Sequence, residues 1–186
     1  MDSLTFLPNS PTLMNAGTGN RGSLSACFVL PVEDSMEGIT RASHDMAMVQ
    51  KFGGGTGFSL SGIRPRGSSI TSTHGVACGP VAVLRYLSAT STLVTQGGKR
   101  DGANMAVLRV DHPDILDFIH CKDDGKGIHN FNISVGLTNS FLNARDKGCR
   151  CESEHEGCFP LTFNGETVRM SCAKDIWDEL VASAHL

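Results

Sequence analysis

The spacing of apolar residues changes several times along this 186-residue chain. Short apolar runs rich in β-branched residues are typical of buried strands. Such runs predict strands at Leu24–Val32, Gly57–Leu60, Ala103–Val110 and Asn130–Leu137. Between and after these runs, apolar residues recur three and four positions apart, which is typical of helices that pack one face on a sheet.

Capping and turn signals set the limits of the first two helices. Asp34 is predicted to cap the first helix, with Glu37 completing a capping box. That helix should end near Lys51, where a run of glycines begins. Pro80 suits the first turn of the second helix, which Gly97-Gly98 should end.

The rest of the chain continues this alternation. Helices are predicted at Pro113–Cys121, at Ser140–Lys147 and from about Ala173 onward. Asn164-Gly165 lies between two short β-prone runs and is a strong signal for a hairpin. His112 directly precedes the first of these helices and is interpreted as a helix-start residue, not as a base.

Strands that alternate with helices predict an α/β fold with a largely parallel sheet. Ligands of such folds meet the loops at the carboxyl ends of the strands. The glycine-rich segments at residues 53–57 and 97–102 are therefore the expected ligand-facing loops.

Composition excludes several classes of protein. The formal net charge of −3 gives no sign of a nucleic-acid-binding surface or a membrane-surface helix. No apolar run is long enough to span a bilayer, and the N-terminus lacks the pattern of a signal peptide. The seven cysteines are odd in number and scattered, which favours a reducing, cytoplasmic setting over a disulfide framework.

Two segments near the N-terminus could serve a phosphate-bearing ligand. Leu7–Gly17 is interpreted as an extended, proline-stiffened loop whose hydroxyls and N–H groups can cradle an anion. Leu24–Pro31 places Cys27 in a strand that looks buried. Taken alone, a cysteine in an apolar strand is most often a packed core thiol.

Two further segments combine glycines with cations. Gly53–Phe58 is glycine-rich and is followed by the basic stretch Ile63–Gly67. In Gln96–Met105, Lys99 and Arg100 lie between glycines, an arrangement that suits a phosphate. Taken alone, the glycines would more often form a turn and the two cations a solvated pair.

The order and spacing of these segments closely resemble those of the adenosylcobalamin-dependent (class II) ribonucleotide reductases. The resemblance continues through Arg109–Ile115 and Asn130–Val135, and it extends from about residue 4 to the last helix. It implies that residues 1–186 form one partial catalytic domain. That domain would be the first half of a ten-stranded α/β barrel of ribonucleotide-reductase type, incomplete in this chain.

The resemblance implies roles for residues on the substrate side. Cys27 matches the first cysteine of the redox pair, which delivers reducing equivalents to the ribose. Ser10 and the backbone around Ala26 match the pocket for the substrate phosphates, and Gly54 and Gly55 match backbone that lines the substrate.

The resemblance also implies an allosteric specificity site for a deoxynucleoside triphosphate effector. Asp34 and Ser35 resemble the residues that bind the effector sugar, and Arg64 resembles the arginine that binds its phosphates. Arg66–Thr73 corresponds to the first specificity loop. Lys99–Asn104 corresponds to the second, which passes the identity of the base from effector to substrate.

The family's activity is the reduction of ribonucleotides to deoxyribonucleotides by a thiyl-radical mechanism. The resemblance implies adenosylcobalamin as a cofactor bound mostly outside this chain, a thioredoxin-type reductant and a homodimer. The family's radical cysteine lies in an Asn-Pro-Cys-Gly-Glu segment, and no such segment occurs here. The chain alone is therefore expected to be inactive, with an exposed sheet edge that favours self-association.

Two stretches depart from the family pattern. Asp101 stands where a second arginine or a glycine is usual, and the polar stretch Cys149–Cys158 has no counterpart. Cys151, His155 and the two end cysteines of that stretch could form a metal cluster. Because the Cys-x-Cys spacing is not that of a zinc knuckle, surface thiols are preferred and no metal is predicted.

Other functions stay open at this point. One is a nucleotide-binding regulatory module without catalysis, and another is the large subunit of an iron-dependent (class I) reductase. A nicotinamide-type oxidoreductase is disfavoured because its glycine motif directly follows a strand. Here Gly53–Gly57 follows a predicted helix. Diphosphate and triphosphate substrates are equally compatible with these residues.

Overall fold

The computed structural model describes residues 5–19, 22–71, 74–96, 100–101, 103–123, 125, 127–128, 130–147 and 158–184. Within these residues, the helices are α1 (Ser10–Asn15), α2 (Met36–Lys51), α3 (Pro80–Thr92), α4 (Ile115–Ile119), α5 (Asn139–Lys147) and α6 (Ala173–Ala184). The strands are β1 (Cys27–Leu30), β2 (Gly55–Ser59), β3 (Ser69–Ile70), β4 (Gly75–Val76), β5 (Thr95–Gln96), β6 (Arg100–Asp101), β7 (Asn104–Arg109), β8 (Phe131–Gly136), β9 (Phe159–Phe163) and β10 (Glu166–Ser171).

Four of the strands form one parallel sheet in the spatial order β1-β2-β7-β8. Neighbours in this sheet also follow one another along the chain, apart from the short strands inserted between β2 and β7. The pairs β3–β4, β5–β6 and β9–β10 are separate antiparallel ribbons. The predicted α/β fold with a largely parallel sheet is confirmed.

The hydrophobic core lies where α2 and α4 contact one face of the sheet and α3 packs against both helices. Ala106 and Leu108 of β7 are fully buried there. Met46 of α2 and Leu84 and Leu87 of α3 are fully buried as well. Because side chains alternate along a strand, only one face of β7 contributes to this core.

The opposite face of the sheet is open in the described part of the chain. Val29, Gly57 and Met105 form one row across three strands, and Val29 is 87% and Met105 42% exposed. The prediction that Ala103–Val110 is a buried strand is therefore wrong for one of its two faces. Apolar composition alone does not say how many faces of a strand are covered.

Ser35, not Asp34, caps α2. The Oγ of Ser35 accepts the Gly38 N–H at 3.0 Å, and the carboxylate of Asp34 is bonded to Arg64 instead. The predicted capping box with Glu37 does not form, because the third residue after the cap is Gly38. The predicted end of this helix at Lys51 is confirmed.

Helix α3 begins at Pro80 as predicted but ends at Thr92, before the predicted stop at Gly97. The hydroxyls of Thr90 and Thr92 bond to backbone carbonyls of their own helix, and such bonds weaken a helix that has no further packing. The chain then forms β5, which pairs with β6. Residues 97–99 lie outside the described residues.

The segment predicted as an extended loop at Leu7–Gly17 contains the short helix α1. Asn9 caps this helix by accepting the Thr12 N–H at 3.0 Å, and Pro11 lies in its first turn. These two residues are ordinary helix-start signals, which the interpretation as a loop overlooked.

Near the C-terminus, the predicted hairpin is confirmed. Asn164 and Gly165 have φ values of +51° and +85° and join β9 to β10. Helices α5 and α6 match their predicted ranges within one residue at each described end. None of the described helices combines the length and the apolarity that crossing a membrane requires.

Candidate functional site

The residues singled out by sequence fall at two opposite edges of the parallel sheet. We call the edge where the strands begin, at Cys27, Gly55 and Asn104, the amino edge. The edge where they end, next to the loops that carry Asp34 and Arg64, is the carboxyl edge. The predicted substrate residues are thereby separated from the predicted effector residues Asp34, Ser35 and Arg64.

The expectation that the glycine-rich loops lie at the carboxyl edge is wrong for residues 53–54. Residues 53–54 immediately precede β2, so this loop lies at the amino edge, whereas residues 97–99 and 102 lie outside the described residues. The rule about carboxyl ends applies to loops that follow strands. Gly53 and Gly54 instead come after α2 and before β2.

The backbone at the amino edge is in close contact. The Gly55 N–H donates to the Ala26 carbonyl at 2.7 Å, and the Thr56 N–H donates to the Ala103 carbonyl at 3.1 Å. A Cβ on Gly55 would lie 2.9 Å from the Ala103 carbonyl oxygen. Position 55 therefore requires glycine for this approach, not for an unusual φ angle.

Cys27 lies on the open face of the sheet, not in the core as its apolar strand suggested. Its thiol is exposed, and in the register of the sheet it lies opposite Gly55. Gly57 is opposite Val29 on the same face. The two glycines leave a strip without side chains beside the Cys27 thiol, which a flat ligand could occupy.

The helix that carries Ser10 is tied to the chain that leads into β1. Thr12 Oγ1 donates to the Leu24 carbonyl at 2.9 Å, and Asn15 Nδ2 donates to the Ser23 carbonyl at 2.8 Å. Ser10 itself is exposed at the start of the helix. The structure thus holds the predicted phosphate-binding segment against the residues just before Ala26.

A buried polar network lies beneath the amino edge and was missed by sequence reasoning. Asn104 Oδ1 accepts from Gln50 Nε2 at 2.6 Å and from Thr56 Oγ1 at 2.5 Å. Asn104 Nδ2 donates to Ser91 Oγ at 2.9 Å, and Ser91 Oγ donates to Gln50 Oε1 at 3.2 Å. All four side chains are at most 5% exposed. The available signal was a polar residue on the apolar face of each helix, at Gln50 and Ser91.

At the carboxyl edge, Asp34 and Arg64 form an ion pair although they are thirty positions apart in sequence. Arg64 Nε donates to Asp34 Oδ2 at 2.7 Å, and the Arg64 N–H donates to Asp34 Oδ1 at 3.2 Å. About a third of the Arg64 side chain is exposed, at 32%, so a ligand can still reach the guanidinium. Ser35 lies next to this pair as the cap of α2.

Other predicted effector residues are only partly described. Lys99 lies outside the described residues, and only the backbone of Arg100, in β6, is described. Within Arg66–Thr73, the predicted first specificity loop, Ser69–Ile70 forms β3, and residues 72–73 lie outside the described residues.

A cleft of about 480 Å³ opens beside this site at the carboxyl edge. Ser61, Arg109, Asp111 and His112 line it, together with the turn at residues 162–165. Arg109 and Asp111 pair through two hydrogen bonds, and this contact raises the pKa of the arginine above its ordinary value. The cleft is charged and polar, in contrast to the amino edge.

His112 is buried in this region, with 2% of its surface exposed. Its Nδ1 faces the Asp114 N–H at 3.0 Å, so Nδ1 accepts and the ring proton lies on Nε2. Nε2 then donates to the Ile63 carbonyl at 2.9 Å. Burial lowers the pKa of His112, against the opposing effects of the Ile63 carbonyl and of Asp114 and Asp111. A neutral ring with both nitrogens bonded to backbone agrees with a structural interpretation, not with a base.

The described cysteines differ in environment. Cys27, Cys78 and Cys158 are exposed, whereas burial raises the pKa of Cys121 to about 11. Cys149 and Cys151 lie outside the described residues. Among the residues that the structure describes, no group of three or more His, Cys, Asp or Glu side chains could hold a metal ion.

Comparison with known protein families identifies the family to which this chain belongs. The family model described as "Ribonucleotide reductase, barrel domain" matches residues 25–163, which include both edges of the sheet. The chain belongs to this family. The family resemblance drawn from the sequence is thereby confirmed.

Several curated relatives match nearly the whole chain. The vitamin B12-dependent ribonucleoside-diphosphate reductase of Thermoplasma acidophilum is 46% identical over 185 residues, which are 99% of this chain and 23% of that protein. The protein of the same name from Mycobacterium tuberculosis is 44% identical over 98% of this chain and 25% of its own length. The chain therefore spans about a quarter of the length of these ribonucleotide reductases.

Two more matches bear on class and fold. The ribonucleoside-diphosphate reductase subunit alpha of Bacillus subtilis is 33% identical over 74% of this chain and 20% of that protein. The solved alpha subunit of the class Id ribonucleotide reductase of Actinobacillus ureae superimposes with a TM-score of 0.72 over 94% of this chain and 28% of its own. At 21% identity this second likeness shows the fold alone, and it supports the predicted reductase barrel.

Proposed function

We propose that this chain is part of a vitamin B12-dependent ribonucleotide reductase that converts ribonucleotides to deoxyribonucleotides for DNA synthesis. The identity of 46% along 99% of the chain to a relative with that printed name carries the proposal. Identity to the Bacillus subtilis subunit alpha is lower, at 33%, and this difference favours the B12-dependent class.

Cys27 is proposed as one thiol of the reducing pair. In the reduction, the C2′–O bond of the ribose breaks, water leaves and a C–H bond forms. The two electrons come from a dithiol, which becomes a disulfide, and a thioredoxin-type dithiol then reduces that disulfide. The exposed thiol beside the strip at Gly55 and Gly57 supports this role, because a ribose can approach it.

The substrate is proposed to lie along the amino edge. The exposed Ser10 hydroxyl at the start of α1 supports a phosphate contact, since a hydroxyl can donate a hydrogen bond to an anion. The backbone around Ala26 is proposed to complete the phosphate pocket, and the backbone of Gly54 and Gly55 to line the substrate. A Cβ at position 55 would collide with the Ala103 carbonyl oxygen, so this position keeps a glycine whose backbone no side chain covers. This supports the proposed contact of the Gly55 backbone with the substrate.

Adenosylcobalamin, when bound, would supply the radical that starts the reaction. The cleft lined by Phe118, Ile119, Ile133, Val135 and Leu180 is apolar but has only about 110 Å³. That volume is well below the roughly 300–1,000 Å³ of ordinary ligand pockets, so this cleft does not fit a corrin ring. We therefore assign none of the described residues to the cobalamin.

A deoxynucleoside triphosphate effector is proposed at the carboxyl edge. The pairing of Asp34 with Arg64, next to Ser35, supports this assignment because a carboxylate, a hydroxyl and a guanidinium are the groups that sugar and phosphates require. Lys99 and Arg100 of the second specificity loop are proposed to contribute to effector binding. A homodimer in the cytoplasm completes the proposed assembly.

Calorimetric titration of dTTP into the folded chain tests the effector site. Arg64→Ala is expected to weaken binding about tenfold or more, because a charge-assisted phosphate contact is lost. Arg41→Ala removes an exposed arginine from α2 and is the matched control. Failure of the folded wild-type chain to bind dTTP, or equal affinity in the two variants, would overturn the assignment.

The chain by itself is proposed not to turn over ribonucleotides. Turnover by the purified 186-residue chain, measured as deoxyribonucleotide formed with a dithiol reductant, would contradict this proposal.

A further inference from the structure

The loop that follows β2 is hydrogen-bonded to another part of the chain on both sides of Arg64. On one side, His112 Nε2 donates to the Ile63 carbonyl at 2.9 Å. On the other side, the Arg66 N–H donates to Asp114 Oδ2 at 2.8 Å. The backbone that carries Arg64 is therefore bonded at the preceding and at the second following residue to one short turn, His112-Pro113-Asp114.

That turn has a fixed internal geometry. The Asp114 N–H donates to His112 Nδ1 at 3.0 Å, so the histidine ring bridges its own turn to the Ile63 carbonyl. The ring is 2% exposed, and water cannot readily replace either bond. A neutral ring of this tautomer is the form that makes both bonds together.

The β9–β10 hairpin holds the turn from the other side. The Thr162 N–H donates to the Asp111 carbonyl at 2.6 Å, and Arg169 Nη2 donates to the Pro113 carbonyl at 2.8 Å. The ring of Phe163 meets the His112 ring edge to face, with 6.0 Å between the ring centres. Contacts thus continue from the hairpin through the turn to the loop of Arg64.

Gly79 makes room for the contact between Asp114 and Arg66. A Cβ at position 79 would lie 2.7 Å from Asp114 Oδ2 and 3.0 Å from the Arg66 nitrogen. The φ of Gly79 is also +80°, a value that residues with side chains rarely adopt. Glycine at position 79 therefore leaves the space that the Asp114 carboxylate needs in order to accept the Arg66 N–H.

We propose that His112 and Asp114 are positioning residues for Arg64 and that they set the affinity of the effector site without touching the nucleotide. Asp34 holds the guanidinium, and the turn holds the backbone beneath it. A pre-positioned arginine loses less conformational freedom when a triphosphate binds. This inference rests on the proposed effector function of Arg64, but the position of the loop can be measured without any nucleotide.

Paired substitutions separate positioning from simple stability. His112→Gln keeps an N–H donor near the place of Nε2, whereas His112→Asn is too short to reach the Ile63 carbonyl. Likewise Asp114→Asn keeps an oxygen acceptor for the Arg66 N–H, whereas Asp114→Ala does not. All four variants disturb the same turn, so a general loss of stability is similar within each pair.

Two readouts are measured on the folded chain: exchange of the Arg64 amide hydrogen by NMR, and the Kd for dTTP. We expect His112→Asn and Asp114→Ala to raise the Arg64 exchange rate and the Kd about tenfold, the factor that the loss of one hydrogen bond implies. His112→Gln and Asp114→Asn should stay close to wild type in both measurements.

Equal exchange rates and equal Kd values within each pair would overturn the positioning role, whatever happens to stability. If the exchange rates follow the expected order but dTTP binding is absent or unaffected by Arg64→Ala, the effector assignment fails. In that case the turn still positions Arg64, and its role in nucleotide affinity is refuted together with the effector site.

Discussion

The two edges of the parallel sheet use different interactions to hold their residues in place. Beneath the amino edge, Gln50, Thr56, Ser91 and Asn104 are uncharged, buried and bonded to one another. The carboxyl edge instead carries partly exposed ion pairs, such as Asp34 with Arg64. Buried neutral networks are little affected by salt, whereas exposed charges are screened by it.

This difference follows from what each edge has to accommodate. At the amino edge, backbone from neighbouring strands approaches so closely that Gly55 leaves no room for a Cβ. Close packing of the backbone, not charge, therefore determines the geometry of the amino edge. At the carboxyl edge, the loops that follow the strands carry partly exposed charges such as Arg64, which can face an anion. These differences agree with the proposed reaction site at the amino edge and the proposed effector site at the carboxyl edge.

The largest expected effect comes from breaking the neutral network. Asn104→Leu keeps the volume of the side chain but leaves the polar groups of Gln50, Thr56 and Ser91 buried without their partner. We expect the free energy of unfolding in urea to fall by about 3 kcal/mol or more. The loss should be the same at low and high salt, since no charge is involved.

Asn132→Leu is the control for this substitution. Asn132 is an exposed asparagine on the neighbouring strand β8, and its replacement should change stability by less than about 0.5 kcal/mol. A loss below about 1 kcal/mol for Asn104→Leu would mean that the network contributes little to the amino edge.

A smaller effect is expected from crowding the backbone of the same edge. Gly55→Ala places a Cβ 2.9 Å from the Ala103 carbonyl oxygen, which is backbone and cannot turn away. Overpacking of this kind should lower the free energy of unfolding by about 1–3 kcal/mol in the same urea assay.

Gly62→Ala is the matched control, because nothing lies within 4 Å of the Cβ position of Gly62 and its φ is not positive. That substitution should be neutral or slightly stabilising, since it reduces the freedom of the unfolded chain. Equal losses in both glycine variants would show that close approach is not the reason for glycine at position 55.

The stability of the folded chain should depend on pH because of His112 at the carboxyl edge. Burial lowers the pKa of His112 in the folded protein, so below pH 6.5 the unfolded chain binds more protons than the folded one. The free energy of unfolding should therefore decrease as the pH falls from 6.5 toward the folded pKa, by at most about 1.4 kcal/mol per pH unit.

The comparison of wild type with His112→Gln isolates this contribution from that of the carboxylates. The variant should show a flatter pH dependence over this range, whereas Asn104→Leu should keep the wild-type slope. Parallel curves for wild type and His112→Gln would mean that His112 does not couple folding to pH.

Local signals were sufficient wherever a few neighbouring residues decide the structure. The end of α2 at Lys51, the start of α3 at Pro80 and the hairpin at Asn164-Gly165 were all predicted, because capping, proline geometry and positive φ act over short distances. The cap of α2 was misplaced by one residue because Asp34 and Ser35 are equally good caps. Only the distant Arg64 decides between them.

Some features of the candidate sites were predicted from the sequence, and others were not. The family pattern selected Asp34 and Arg64, and the structure brings them into contact. The roles proposed for Cys27, Ser10 and the substrate-side glycines stay predictions. Exposure of the Cys27 thiol was not predicted, because an apolar strand is compatible with one covered face or two.

The sequence by itself determined the alternation of strands and helices, several of their ends and the resemblance to the reductase family. Each of these depends on residue type and on spacing along the chain. The tertiary structure alone decided that Gly53 and Gly54 lie at the amino edge, that Asn104 joins four elements, and that His112 reaches the Ile63 carbonyl. These contacts join residues tens of positions apart, and only the packing of helices on the sheet sets the distances between them.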